Sequence, residues 1–129
     1  MAVIGFWAQN SIQIGVLNVY APQQAQLKKQ LWLSIQSLIL GNNNLVWIIF
    51  GDFNEVMEEI ERKGTRFSLP GAVVFNNFIA SVGLIEVRNG GRRYTHISTD
   101  GSKLSKLDRV LVSHNCFDNC PNLVVEILP

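Results

Sequence analysis

Apolar residues recur along this chain with two different periods, and the changes from one to the other mark its elements. In SIQIGVLNVYAP (residues 11–22) β-branched residues dominate and Ala21-Pro22 closes the run, which predicts a strand ending in a turn or helix entry. Alternation sets Ile12, Ile14, Val16, Asn18 and Tyr20 on one face, so an apolar face finishes on two polar-tipped residues. In QLKKQLWLSIQSLIL the period changes: Leu27, Leu31, Ile35, Leu38 and Ile39 recur at helical spacing, Gly41 stops the helix and Asn42 to Asn44 make a loop. Leu45 to Phe50 is too short and too continuously apolar for a surface helix and predicts a strand covered on both faces. A second helix is announced by Ser68 and Pro70, carried by Val74, Phe75, Phe78, Ile79 and Val82, and stopped by Gly83. Beyond Gly90-Gly91, RRYTHIS and KLDRVLVS read as strands joined by a turn at Asp100-Gly101, and NLVVEIL as a last strand. Strands interleaved with helices and then following one another predict a mixed α/β (α+β) class.

The length of 129 residues suits one domain, and 47% hydrophobic with 16% charged residues excludes a disordered chain. The net charge of +1 gives no sign of a polyanion partner, but the charges are unevenly spread along the chain. Up to Glu61 two lysines face five acids, whereas from Arg62 to Arg109 nine basic residues face three acids. Three clusters make the middle basic: Arg62, Lys63 and Arg66; Arg88, Arg92 and Arg93; Lys103, Lys106 and Arg109. They read either as solvated loop charges or as a surface for phosphate. Cys116 and Cys120 are too few for a disulfide framework and lack a second ligand pair for zinc, so both are expected reduced and structural. MAVIGFWA has no basic leader segment, and no apolar run approaches the roughly 20 residues of a membrane span. An intracellular chain without a membrane partner is the expectation.

The chemistry concentrates in LVWIIFGDFNEV, where an apolar strand runs into Gly51 and then Asp52, Asn54 and Glu55. Polar residues at the carboxyl end of a buried strand stand where sheets with helical crossovers bind ligands. An Asp or Asn there also serves as a helix N-cap or an Asx-turn. The strand followed by GDFNEV, LNVYAP upstream and GRRYTHISTDGSKLSKLDRVLVS downstream, three stretches in order over most of the chain, resemble the endonuclease/exonuclease/phosphatase superfamily. They are most similar to the endonuclease domain of LINE-type non-LTR retrotransposons of plants.

That resemblance implies a four-layer αββα sandwich of two sheets between helices. It also implies hydrolysis of phosphodiester or phosphomonoester bonds with a divalent ion, usually Mg²⁺. By the same resemblance Asp52 activates the attacking water, Asn54 holds the phosphate, both are candidate metal ligands, and the Tyr20 hydroxyl contacts the scissile phosphate. Thr95 matches a Thr near the active site, and Asp108 the carboxylate that orients a catalytic His. Such a site suits phosphoryl transfer, which depends on positioning and electrostatic stabilisation.

The family's Ser-Asp-His motif and its upstream metal-binding Glu have no counterpart, so residues 1–129 are expected to be an incomplete domain, truncated at both ends. His114 shares strand parity with Asp108, but the intervening strand spans about 20 Å, so it reads as a strand-end surface residue. His96 stands where these endonucleases usually carry an aromatic. Three functions follow: a LINE-type DNA endonuclease, nuclear if functional; a superfamily phosphatase for small phosphoesters such as an inositol phosphate or phospholipid; or a noncatalytic retroelement remnant with residual nucleic-acid binding. SKLSKLDRVLVS favours the retroelement branch, and missing site members predict weak or no activity for the chain alone. Exposed sheet edges predict self-association.

Overall fold

The computed structural model describes residues 2–7, 12–87, 89–91, 93–119 and 125–127, so Arg88, Arg92 and Cys120 lie outside the described residues. In chain order the elements are β1 (Ala2–Trp7), β2 (Ile12–Tyr20), α1 (Ala25–Gly41), β3 (Val46–Asp52), a 3-10 turn (Glu59–Glu61), β4 (Arg62–Lys63), α2 (Leu69–Ser81), β5 (Leu84–Glu86), β6 (Asn89–Gly91), β7 (His96–Ile97), β8 (Leu104–Ser105), β9 (Asp108–Ser113), α3 (Asn115–Asn119) and β10 (Val125–Ile127). The main sheet has the order β1-β2-β3-β9-β5. Within it β2 and β3 are parallel, with α1 as the crossover between them, and the other pairs are antiparallel. A small antiparallel sheet, β4-β8-β7, stands apart, and β6 pairs parallel with β10. The class is therefore mixed α+β.

Both long helices cover one face of the main sheet. Lys28, Trp32, Ile35 and Ile39 of α1 fall on one stripe and are buried. In α2 the Ser68 hydroxyl accepts the Gly71 N–H at 3.3 Å, Pro70 occupies the first turn, and Gly83 follows the end with φ +66°. The helix contributes Ala72, Phe75, Phe78 and Ile79 to the core. These side chains close on Leu17, Val19, Trp47, Ile49 and Leu111 of the sheet, and the Trp32 ring centroid lies 5.1 Å from those of Phe75 and Phe78.

The opposite face is covered unevenly. Register sets Ile14 beside Val46, Val16 beside Ile48 and Val112, and Asn18 beside Phe50 and Val110. Val46 and Val112 are buried with Val87 and Cys116, but Phe50, farther along the strand, is 38% exposed. The expectation that β3 is covered on both faces therefore fails at its carboxyl end, because the packed cluster of this face stops short of Phe50. RRYTHIS is also shorter as a strand than its composition suggests: among the described residues His96 and Ile97 pair with Ser105 and Leu104, flanked by single backbone bonds from Thr95 N–H to the Ser105 carbonyl at 3.0 Å and from Ser98 N–H to the Lys103 carbonyl at 2.9 Å. The Asp100-Gly101 turn is present, its carboxylate accepting from Ser98, Ser102 and the Ser102 N–H.

Candidate active site

At the open end of that face the register aligns Tyr20, Asp52 and Asp108 in one row across β2, β3 and β9. Directly paired residues project from the same side of a sheet, and neighbouring strands lie about 4.8 Å apart, so three side chains distant in sequence become neighbours. Tyr20 is 84% exposed, and its hydroxyl meets no hydrogen-bond partner among the described residues. β3 reaches this position through Gly51, whose φ is +134° and whose missing Cβ would stand 2.0 Å from the Val19 carbonyl oxygen. Only glycine fits there.

Past Asp52 the chain makes an Asx-type turn. The Asn54 N–H donates to Asp52 Oδ1 at 2.8 Å, and Asn54 itself has φ +48°. Its Nδ2 donates to the Ala21 carbonyl at 2.6 Å, while the Ala21 N–H donates to the Asp52 carbonyl at 2.8 Å. The carboxamide keeps a second N–H for a ligand. Phe53, wholly buried, pins the turn in the core and donates its N–H to the Leu107 carbonyl at 2.9 Å. The Asx-turn expectation for Asp52 is thereby met.

Thr95 braces the start of β9, its Oγ1 accepting the N–H of Leu107 at 2.9 Å and of Asp108 at 3.0 Å. Partial burial lifts the Asp108 carboxyl above its ordinary range; the Thr95 hydrogen bond opposes this, the Asp52 charge adds to it, and the His96 charge opposes it. Asp52 and Asp108 therefore form an electrostatic doublet, with an exposed histidine near enough to act on it. In the sequence His96 stands out only as a polar residue at an aromatic position; its proximity to Asp108 depends on the β7–β8 pairing and has no local signal. His114 is exposed and follows the far end of β9.

Among the described residues no group of three or more His, Cys, Asp or Glu side chains converges. The Asp52 carboxylate and the Asn54 carboxamide oxygen are donors of the kind Mg²⁺ accepts, and such a site takes only one or two carboxylates from a protein. The basic middle segment is less available than its sequence suggests. Arg109 is 2% exposed and bound to Glu61 and Glu86, and Lys106 pairs with Glu86 at 2.6 Å, so both are neutralised internally instead of facing phosphate. Lys63, Arg66, Arg93 and Lys103 remain exposed.

No family model and no curated protein matches this sequence. Solved structures do match in fold. The 3′ phosphatase NExo from Neisseria, bound to a product DNA hairpin, superposes with a TM-score of 0.64 at 16% identity over 88% of this chain and 58% of its own. The endonuclease domain of TRAS1, a telomere-specific non-LTR retrotransposon, gives 0.58 at 14% identity over 91% of this chain and 52% of its own. An endonuclease/exonuclease/phosphatase family protein from Bacteroides thetaiotaomicron gives 0.52 at 15% identity over 82% and 37%. The chain has the endonuclease/exonuclease/phosphatase fold. It spans between 37% and 58% of the length of these three structures. In this endonuclease/exonuclease/phosphatase fold the Tyr20–Asp52–Asp108 row lies at the carboxyl ends of the parallel strands β2 and β3, the end where open α/β sheets present ligand sites.

Proposed function

We propose that this chain is an incomplete part of a divalent-metal-dependent phosphodiester hydrolase acting on DNA, of the LINE-type endonuclease kind. The observation that carries the reading is the single row of Tyr20, Asp52 and Asp108 on an open sheet end. In this reading Asp52 accepts the proton of the attacking water, and Tyr20 and the spare Asn54 N–H hold the phosphate. Thr95 fixes the backbone that presents Asp108. Asp52 and Asn54 are the residues that would hold the divalent ion, which when bound supplies charge stabilisation at phosphorus. The likeness in fold to a phosphatase bound to a DNA hairpin and to a retrotransposon endonuclease domain supports DNA as the partner; a functional enzyme of this kind would act in the nucleus.

The alternative of a noncatalytic remnant that retains DNA affinity draws support from the small donor set around Asp52. Both readings expect little nicking by the chain alone, and both leave room for self-association through β1 and β5, which among the described residues pair on one side only. An amide NMR titration with a short DNA duplex and Mg²⁺ tests the site: signals of Tyr20, Asp52, Asn54, Thr95 and Asp108 shift first, and a titration leaving them in place overturns the assignment. Incubation with supercoiled plasmid and Mg²⁺, beside Asp52→Ala, tests activity. Nicking that requires Asp52 would refute the expected inactivity of the isolated chain.

A further inference from the structure

The turn that carries Asp52 and Asn54 is gripped from behind, on the helical side of the sheet. Lys28 of α1 is 9% exposed, and its Nζ donates to Glu55 Oε2 at 2.7 Å and to the Asn54 carbonyl oxygen at 2.9 Å. Glu55, 4% exposed, accepts the Val56 N–H on Oε1 at 3.1 Å. Its Oε2 lies so close to Gly71 in the first turn of α2 that a Cβ there would stand 2.6 Å away. One carboxylate therefore joins α1, the turn and the start of α2.

Fold stability alone explains this arrangement poorly. Buried ion pairs stabilise no better than well-packed hydrocarbon, and the surrounding stripe of Trp32, Ile35 and Ile39 already supplies packing. Hydrocarbon cannot hold a carbonyl oxygen. Asn54 occupies a left-handed conformation that a non-glycine residue rarely adopts unless its surroundings impose it. Its carbonyl is held by Lys28, while its N–H donates to Asp52 Oδ1 and its Nδ2 to the Ala21 carbonyl, so the residue is bound on three sides.

We infer that Lys28, oriented by Glu55, is a positioning residue that fixes Asn54 and through it the aim of the Asp52 carboxylate. This rests on the reading of Asp52 as the water-activating group, and adds that its geometry is set from the opposite face of the sheet.

Two measurements test it. In the unaltered chain the Lys28 ammonium gives a resolved, slowly exchanging ¹⁵Nζ signal, in contrast to its exposed neighbour Lys29; exchange as fast as that of Lys29 overturns the inference. Because it needs no substitution, this result decides even if a variant fails to fold. In a double variant, Lys28→Met with Glu55→Gln, both charges are removed so that neither is left buried alone. The Asn54 backbone and side-chain amide signals are expected to move and their hydrogen exchange to quicken by about tenfold or more, while the Trp32 and Trp47 indole signals stay. Lys28→Arg keeps a donor and restores the Asn54 signals. A folded double variant with unchanged Asn54 signals overturns the inference. These signals are read without DNA, so failure of the unaltered chain to bind a duplex would sink the functional reading while the grip of Lys28 on Asn54 still stood or fell by its own signals.

Discussion

Replacing Arg109 by methionine tests what ties β9 to the Glu59–Glu61 turn and to β5. The guanidinium is buried, donates to both oxygens of Glu86 at 2.9 and 3.1 Å and to Glu61 Oε2 at 3.0 Å, and stands 5.7 Å from the Phe75 ring centroid. Its Nε is buried without a partner, so the network is satisfied through its terminal nitrogens alone. Methionine keeps the stem volume and removes the cation, leaving two carboxylates with only Lys106 between them. Breaking a buried pair costs about 3–5 kcal/mol. The Glu61 and Glu86 side chains retain 15% and 20% exposure, so water relieves part of the penalty and the lower value of about 3 kcal/mol applies. Measured by urea unfolding at neutral pH, with a slope of about 1–3 kcal/mol per molar, the midpoint falls by roughly 1–3 M.

The pH dependence of this deficit carries the sharper test. Burial pushes the Glu61 carboxyl up, but the Arg109 hydrogen bond and charge, with the N–H groups of Met57 and Glu58, hold it below its ordinary 4.5. A depressed carboxylate contributes stability that is present above its unfolded value and lost as pH falls through the folded one. Without Arg109, burial acts against the remaining backbone bonds, the folded value rises, and protonation then favours the folded state. The deficit of Arg109→Met must therefore narrow as pH falls from about 7 to about 4. A deficit that stays constant or widens over that range, or one below about 1 kcal/mol at neutral pH, would refute the assignment of this role to Arg109.

Gly51→Ala combines a φ of +134° with a Cβ placed 2.0 Å from the Val19 carbonyl, so strain and overpacking together cost about 2–5 kcal/mol; a melting temperature equal to that of the unaltered chain would contradict it. Asp108→Asn works in the other direction. Because the folded Asp108 value is raised above 3.8, its charge costs stability once pH exceeds that raised value, and the cost disappears below 3.8. The variant is therefore more stable than the parent at neutral pH and equal to it in acid, which paired denaturation curves would check.

Much of the fold is legible because its signals are local. The helical stripe of α1, the Ser68, Pro70 and Gly83 punctuation of α2, and the apolar runs of β2, β3 and β9 each lie within one stretch of sequence. Strands of two or three residues, β4 to β8, carry no period and exist only through their partners; five-residue α3 is equally short of signal, and β1 opens the chain without a turn signal before it. Charge misleads for the same reason. The run of basic residues is visible along the chain, but the acids that neutralise Arg109 lie 48 and 23 positions away. Lys28 likewise reads as a solvated helix residue until Glu55, 27 positions on, is brought against it.

The candidate site shows the limit of local reading most clearly. Residue types announced Asp52, Asn54 and Tyr20, yet their meeting depends on two strand registers, and a slip of one residue in either would turn a side chain to the other face. None of the row residues secures that register: Tyr20 is solvent-exposed, Asp108 carries a raised carboxyl, and the turn beyond Asp52 needs a left-handed Asn54. The register is held instead by Ile49, Phe53 and Leu111, fully buried on the helical side, and the turn by the Lys28–Glu55 pair. The site is thus imposed on its residues by a core they do not build. Substitutions of Tyr20 or Asp108 should accordingly separate ligand binding from folding, whereas Gly51 and Phe53, in the same motif, cannot change without disturbing both.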